Sequence, residues 1–256
     1  MIQNNLKGGD KMRLKILGFV LVCLLLFVSC GQKLNDTKAT DVIKEAFELA
    51  EDDVLEILGT SMESKDIALV KFKVNEVQIS SKMRKYDKGW QIDLIQDESG
   101  KWMPAETIIN LIAQQRKKDN QIIAMKDIII ISTAIVDYIT DNGITPTQDG
   151  IYDENSEIYN ALVPFYLKSF PSKDPWGNNY LIYCGKAGNG KYGITECVSD
   201  DFVVVSYGKD GEKESWEFIA YNPEAGIFVV NTDDDYDKDL VMWNGSWIRA
   251  PRTSRY

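Results

Sequence analysis

Residues 169–188 read SFPSKDPWGNNYLIYCGKAG. Within them, Asp174-Pro175-Trp176-Gly177 is either a chemical site or the corner that starts a sheet. The types favour a corner. Pro175 fixes φ, Asp174 can accept from its own following backbone, and Gly177 permits a positive φ. Trp176 supplies apolar mass to pin the turn onto a helix. After Trp176 come short β-branched and aromatic runs separated by turn residues: NYLIYC, GITECV, DFVVVSYG and GIFVVN. These read as antiparallel strands.

On the N-terminal side, no Gly or Pro interrupts the chain from Pro104 to Asn142. NQIIAMKDIIIISTAIVDYITDNG places Ile122, Met125, Ile129, Ser132, Val136 and Ile139 on one stripe, with Ile128 and Ile135 beside it. That predicts a long amphipathic helix, stopped by Asn142-Gly143. Lys117-Lys118-Asp119-Asn120 is a polar stretch at which the helix either breaks or runs on. A short helix is predicted over about 156–168.

Before this lies a smaller unit, over about 40–106. Val42, Ile43, Ala46, Leu49, Val54 and Ile57 predict a helix over about 40–58. IALVKFKVNEVQIS alternates, with Val70, Phe72 and Val74 on one face and a bulge or bend between Val74 and Val77. GWQIDLIQD alternates Trp90, Ile92 and Leu94, and KWMP begins or ends another strand. Trp90 and Trp102 read as core. The predicted fold class is α+β: a small helix with an antiparallel sheet over 40–106, then over 107–256 a long amphipathic helix packed on a second small antiparallel sheet.

At the N-terminus, Lys11, Arg13 and Lys15 precede an apolar run from Ile16 to Val28 that ends at Ser29-Cys30. A basic segment, a short apolar core and a small residue before the cut describe a secretory signal over 1–29. Phe27-Val28-Ser29-Cys30 resembles a bacterial lipobox, in which the cysteine carries lipid. The other reading is an ordinary signal peptide with an incidental cysteine. Residues 30–39 are then the lipidated Cys30 and a polar tether. Lys7-Gly8-Gly9-Asp10 can be encoded by a purine-rich, ribosome-binding-like sequence, so translation is expected to begin at Met12. The expected location is the cell envelope, outside the cytoplasm and anchored to a membrane through lipid. In that oxidising compartment Cys184 and Cys197, which flank GKAGNGKYGITE, are expected to form a disulfide.

The net charge of −10 argues against nucleic acid as a partner. The sequence contains no histidine, which removes the usual Ser and Cys hydrolase triads and every His-ligated metal site. No acid pair stands out in an apolar setting, so no enzyme is expected.

The order of parts resembles a family, the major pseudopilin of type II secretion (its protein G), in its globular region. The matching residues are Tyr138, Asn142-Gly143, Pro146-Thr147, Leu162, Lys173-Asp174-Pro175-Trp176-Gly177, Tyr180, Ser206-Tyr207-Gly208-Lys209-Asp210-Gly211 and Asp239-Leu240. They cover about residues 118–245. The chain departs from the family in lacking a peptidase site followed by a greasy assembly helix. Its helix before the matching region is polar, from Gln114 to Lys118. The resemblance implies a calcium site made by Asp210, the Tyr207 carbonyl and a late Asp pair. Asp239 is the last of that pair; Lys238 occupies the position before it, so Asp237 or Asp235 would substitute. NTDDDYDKDL is dense in carboxylates, which repel one another and attract a hard cation. A solvated acidic turn is the other reading of the same residues.

The functional expectation is a non-catalytic, lipid-anchored envelope protein. It acts through structure or contacts with other envelope or secretion proteins, in a type II secretion or pilus-like setting. The alternative is a lipid-anchored module that binds a ligand or polymer through the 40–106 region.

Overall fold

A computed structural model describes residues 33–49, 51, 53–147, 150–151 and 155–252. The expected signal segment and Cys30 lie outside the described residues. The chain divides into two compact units, one ending at Ala113 and the other beginning at Gln114. The fold is α+β.

The first unit opens with helix α1, Asp36–Ala46. The Asn35 side chain caps it by accepting from the Lys38 amide at 2.9 Å. This helix starts inside the segment expected to be a tether, and Leu34 is already buried in the core. It also ends earlier than predicted. Leu55–Ser64, which includes Ile57 of the predicted helix, is strand β1. Val54 and Ile57, three residues apart, would share a face only in a helix; here pairing of β1 with β2 prevails, and Val54 is exposed while Ile57 is half-buried.

Strands β2 (Ile67–Val74), β3 (Val77–Tyr86), β4 (Gly89–Gln96) and β5 (Trp102–Pro104) complete an antiparallel meander in the order β1-β2-β3-β4-β5. The irregularity between Val74 and Val77 is a two-residue hairpin, with Val74 opposite Val77 and Asn75 at φ 52°. A register shift at Lys82/Met83 re-aims β4, so Ile95 rather than Leu94 is buried. Ala39 and Ile43 of α1 close over Val70, Phe72, Met83, Trp90 and Ile95.

Helix α2 runs unbroken from Ala105 to Asn142, through the polar stretch at Lys117–Asn120. The second unit adds β6 (Gly150–Ile151), helix α3 (Glu157–Leu162), β7 (Leu181–Cys184), β8 (Phe202–Ser206), β9 (Ile227–Phe228), β10 (Leu240–Trp243) and β11 (Ser246–Pro251). Helix α3 stops six residues short of the predicted end, because the residue before Pro164 is steered out of helical conformation. The predicted strand GITECV does not form. Unpredicted are β10 and β11, a hairpin that turns on Asn244 and Gly245 at φ 47° and 75°.

The sheet order is β6-β7-β8-β10-β11-β9, antiparallel except where β9 runs parallel to β11. Alternation divides its side chains between two cores. Ile182, Phe202, Val204, Leu240 and Met242 meet Ala124, Ile128, Ile131 and Ile135 of α2. Leu181, Val203, Val205 and Val241 point the other way, against Tyr192, Ile194 and Trp216 from the connecting loops.

Only part of the predicted stripe of α2 is buried: Ser132 faces the core, Met125 and Ile139 pack against it, and so do the flanking Ile128 and Ile135. Ile122, Ile129 and Val136 are exposed, whereas Ala124, Ile128, Ile131, Ser132, Ala134 and Ile135 are buried. The helix is apolar nearly all round, so periodicity does not select a face; the small Ala124 and Ala134 let one side approach the sheet closely. Among the described residues, no helix is long and apolar enough to cross a membrane.

Candidate functional site

The Asp174 corner and the loop after β8 form one hydrogen-bonded assembly. Asp174 Oδ1 accepts from the amides of Trp176 at 3.1 Å and Asn178 at 2.9 Å. Its Oδ2 accepts from Ser206 Oγ at 2.7 Å. The Gly208 amide donates back to Ser206 Oγ at 3.2 Å, and Asn178 Nδ2 donates to the Gly208 carbonyl at 2.9 Å. Trp176 packs against the α2-side core. Burial pushes the Asp174 carboxyl up, opposed by these donors. The corner is therefore structural, and it holds the loop that carries Asp210.

That loop lies against the acidic turn. The Lys209 amide donates to the Tyr236 carbonyl at 2.8 Å. Pairing of Leu240 with Ser206 brings Asp239 and Tyr207 to the same end of the sheet. Asp239 is fully buried. Its Oδ2 accepts from Tyr192 Oη at 2.5 Å and from the Glu214 amide at 3.0 Å. Its Oδ1 is buried without a hydrogen-bond partner. Burial first, then the nearby Glu214 and Asp210 charges, push its pKa up to about 6 against the two donors. Glu214 is held by Arg249 through two hydrogen bonds, of 2.9 and 2.5 Å. Tyr192, Glu214 and Arg249 carry no sequence mark of this role, because partners so far apart in the chain meet only through the fold.

Two other carboxylates of the turn, Asp233 and Asp235, are engaged. Asp233 pairs with Lys117 and accepts from Gln114 Nε2 at 2.9 Å. Asp235 is a cap: it accepts from the Asn231 and Thr232 amides at 2.8 Å each, and from Lys238 Nζ at 2.6 Å. The Lys238 contact and these amides hold its carboxyl well below the usual range. Asp235 therefore serves as a turn cap that Lys238 neutralises. Lys209 Nζ stands 3.1 Å from Asp237 Oδ1, close enough to pair in charge but off the line of a hydrogen bond. Asp210 Oδ1 accepts from the Glu212 amide at 3.0 Å. Asp210 and Asp237 line one cleft, together with Glu214, Asp234 and Lys238. Among the described residues, no three carboxylate or cysteine side chains converge as a metal cage. The all-oxygen set and the unbonded Oδ1 atoms of Asp237 and Asp239 suit a hard cation; Lys209 competes for one of them.

The expected Cys184–Cys197 disulfide is not formed. Alternation along β7 sends Cys184 into the α2-side core, while Cys197 packs with Leu181 and Tyr192 on the opposite face.

Asp239 gives a pH dependence of defined sign. Its folded pKa of about 6 lies above the ordinary carboxylate value of roughly 3.9, so between these the folded state holds the extra proton. In chelator, stability is expected to fall by about 3 kcal/mol as pH rises from roughly 4 to 6, at ~1.4 kcal/mol per unit. Asp239→Asn should flatten that window and leave the protein at least as stable as the parent at pH 7. Equal slopes in the two proteins, by denaturant titration across pH, would remove Asp239 as the source.

Comparison with protein-family models, with curated proteins and with solved structures returns no match.

Proposed function

We propose that the chain is a lipid-anchored protein of the cell envelope that acts through protein contacts, with a domain like the globular part of a pseudopilin. The observation that carries this reading is that α2 is apolar on two sides, of which the core covers one. One face is seated in the core, and the other presents Ile122, Ile123, Ile129, Ile130 and Val136 to solvent. Exposed apolar area of that kind marks binding surfaces. The buried carboxylates Asp174 and Asp235 are engaged in holding loops, which supports a role without chemistry. The anchor rests on Ser29-Cys30 at the end of the apolar run. Cys30→Ala is expected to abolish lipid attachment, because the thioether needs that sulfur. Retention of the variant in salt-washed membranes, at the parent's level, would sink the anchor. Photo-crosslinking from position 123 in intact envelopes tests the contact role; absence of any protein adduct there refutes it.

Calcium is part of this proposal as a brace between the two loops. Asp210 and Asp239 would hold it with the Tyr207 carbonyl, and Asp237 would join once Lys209 is displaced. Binding to the folded state alone stabilises by about 2.7 kcal/mol at a hundredfold excess over Kd. Asp210→Ala should remove most of the calcium-dependent rise in Tm. Identical melting of the parent in calcium and in chelator, with no heat on titration to millimolar calcium, would leave the cluster a lysine-neutralised turn.

A further inference from the structure

The contact reading leaves the partner of α2 open, and the charges along its exposed side narrow the choice. Asp119, Ile122, Lys126, Ile129, Thr133, Val136 and Thr140 follow one another at alternating spacings of three and four, and all are exposed. Ile122, Ile129 and Val136 recur every seventh residue, at 49%, 46% and 43% exposure. Ile123 and Ile130 widen the patch on one side, at 45% and 44%. A stripe of this spacing stays on one side of a helix over four turns, which is the geometry that helix-to-helix packing requires.

The charges are not evenly spread. Lys118, Lys126 and Asp119 lie toward the N-terminal end of the patch and leave it one net positive charge, whereas Asp137 and Asp141, with no lysine or arginine beside them, lie toward its C-terminal end. Lys118, Lys126 and Asp137 make no ion pair among the described residues. Asp141 accepts only a tyrosine hydroxyl, Tyr166 Oη at 3.0 Å. A helix with a basic front and an acidic rear is complementary to its own reverse. We propose that this face binds a second copy of the same chain, antiparallel, with the twofold axis between Ile129 and Ile130.

In that register Lys118 meets Asp141, Lys126 lies opposite Thr133 and within one turn of Asp137, and Asp119 faces Thr140. Ile122, Ile123, Ile129, Ile130 and Val136 close the centre. A parallel pair in register would instead set lysine on lysine and aspartate on aspartate. The helix dipoles also oppose one another only in the antiparallel arrangement. One helix pair makes a small interface, so trapping the dimer in place suits it better than sizing it in dilute solution. The proposal rests on the protein-contact reading above and specifies its partner.

Cysteine trapping in the full chain, in its own membrane, distinguishes the arrangements, with the unsubstituted chain as background. Residue 130 faces its own copy across the axis, so Ile130→Cys alone is expected to give an oxidant-dependent homodimer. The two copies of residue 122 stand about 22 Å apart at 1.5 Å of rise per residue. A disulfide needs Cα atoms within about 7 Å. Ile122→Cys alone should therefore give none, while a chain carrying it should bridge to a differently tagged chain carrying Asp137→Cys. Lys126→Glu should reduce the residue-130 product at least several-fold, and adding Asp137→Lys to the same chain should restore it. Homodimer from Ile122→Cys alone would mean parallel packing and overturn the proposal. A bridge from position 130 to a different protein would also overturn it, leaving the contact reading intact. No adduct from position 130 would overturn the homodimer alone, and only the further absence of a photo-crosslink from position 123 would remove the contact reading as well.

Discussion

Gly208→Ala is expected to destabilise the second unit by about 3–5 kcal/mol, more than any change in the side chains around it. Gly208 has φ +68°, where an L side chain costs roughly 1 kcal/mol. The larger cost is spatial. An added Cβ would lie 2.8 Å from both the Tyr236 and Lys238 carbonyl oxygens, which are backbone atoms with no rotamer to move aside. The loop cannot back away, because the Lys209 amide is bonded to the Tyr236 carbonyl and the Gly208 carbonyl to Asn178. Gly190→Ala is the control: φ is +78°, but nothing lies within 4 Å of the added atom. It should lose only the conformational part, about 1 kcal/mol. Equal midpoints for the two variants in denaturant would show that the approach of the loop to the acidic turn is not tight.

Phe72→Ala is expected to cost the first unit about 3–5 kcal/mol. Phe72 is fully buried in β2 and meets Phe47 edge to face, with ring centroids 5.8 Å apart. Its removal leaves a cavity under α1, ringed by Val70, Met83 and Trp90, which belong to strands too tightly paired to collapse into it. Hydrogen exchange locates the damage. Amides of β2 to β4 should lose protection, while those of β8 and β10, which serve separate cores, should keep theirs. Uniform loss across both sets would mean that the two cores unfold together.

The class and order of elements are legible in the sequence wherever alternation meets a turn residue. Val70, Phe72 and Trp90 are core as read, and Asp174 makes the turn that its neighbours suggest. Three features are not legible, for separate reasons. The buried side of α2 is set by the sheet it meets, since isoleucines ring the helix and only Ala124 and Ala134 hint at the close side. The hairpin β10–β11 turns on Asn244-Gly245, the strongest short hairpin pattern, but it directly follows an acidic run whose carboxylates equally suit ligation. Within that run, Asp235 resembles its neighbours in sequence yet is a turn cap, because Thr232 stands three residues before it. Asp239 differs from them through Tyr192, 47 residues away, a separation no local pattern spans.

The two sheets also differ in how far the chain must travel to close them. In the first, each strand bonds to the next, β1 through β5, so each step closes a short loop. In the second, β8 pairs with β10 across a long excursion that must return before β9 can settle beside β11. Loop closure of that length slows folding, and contacts between sequence neighbours speed it. As the chain emerges N-terminus first, the meander can complete itself while the second sheet still awaits its last strands. The exposed edge of β8 is then the part of the newly made protein most open to pairing with the wrong chain.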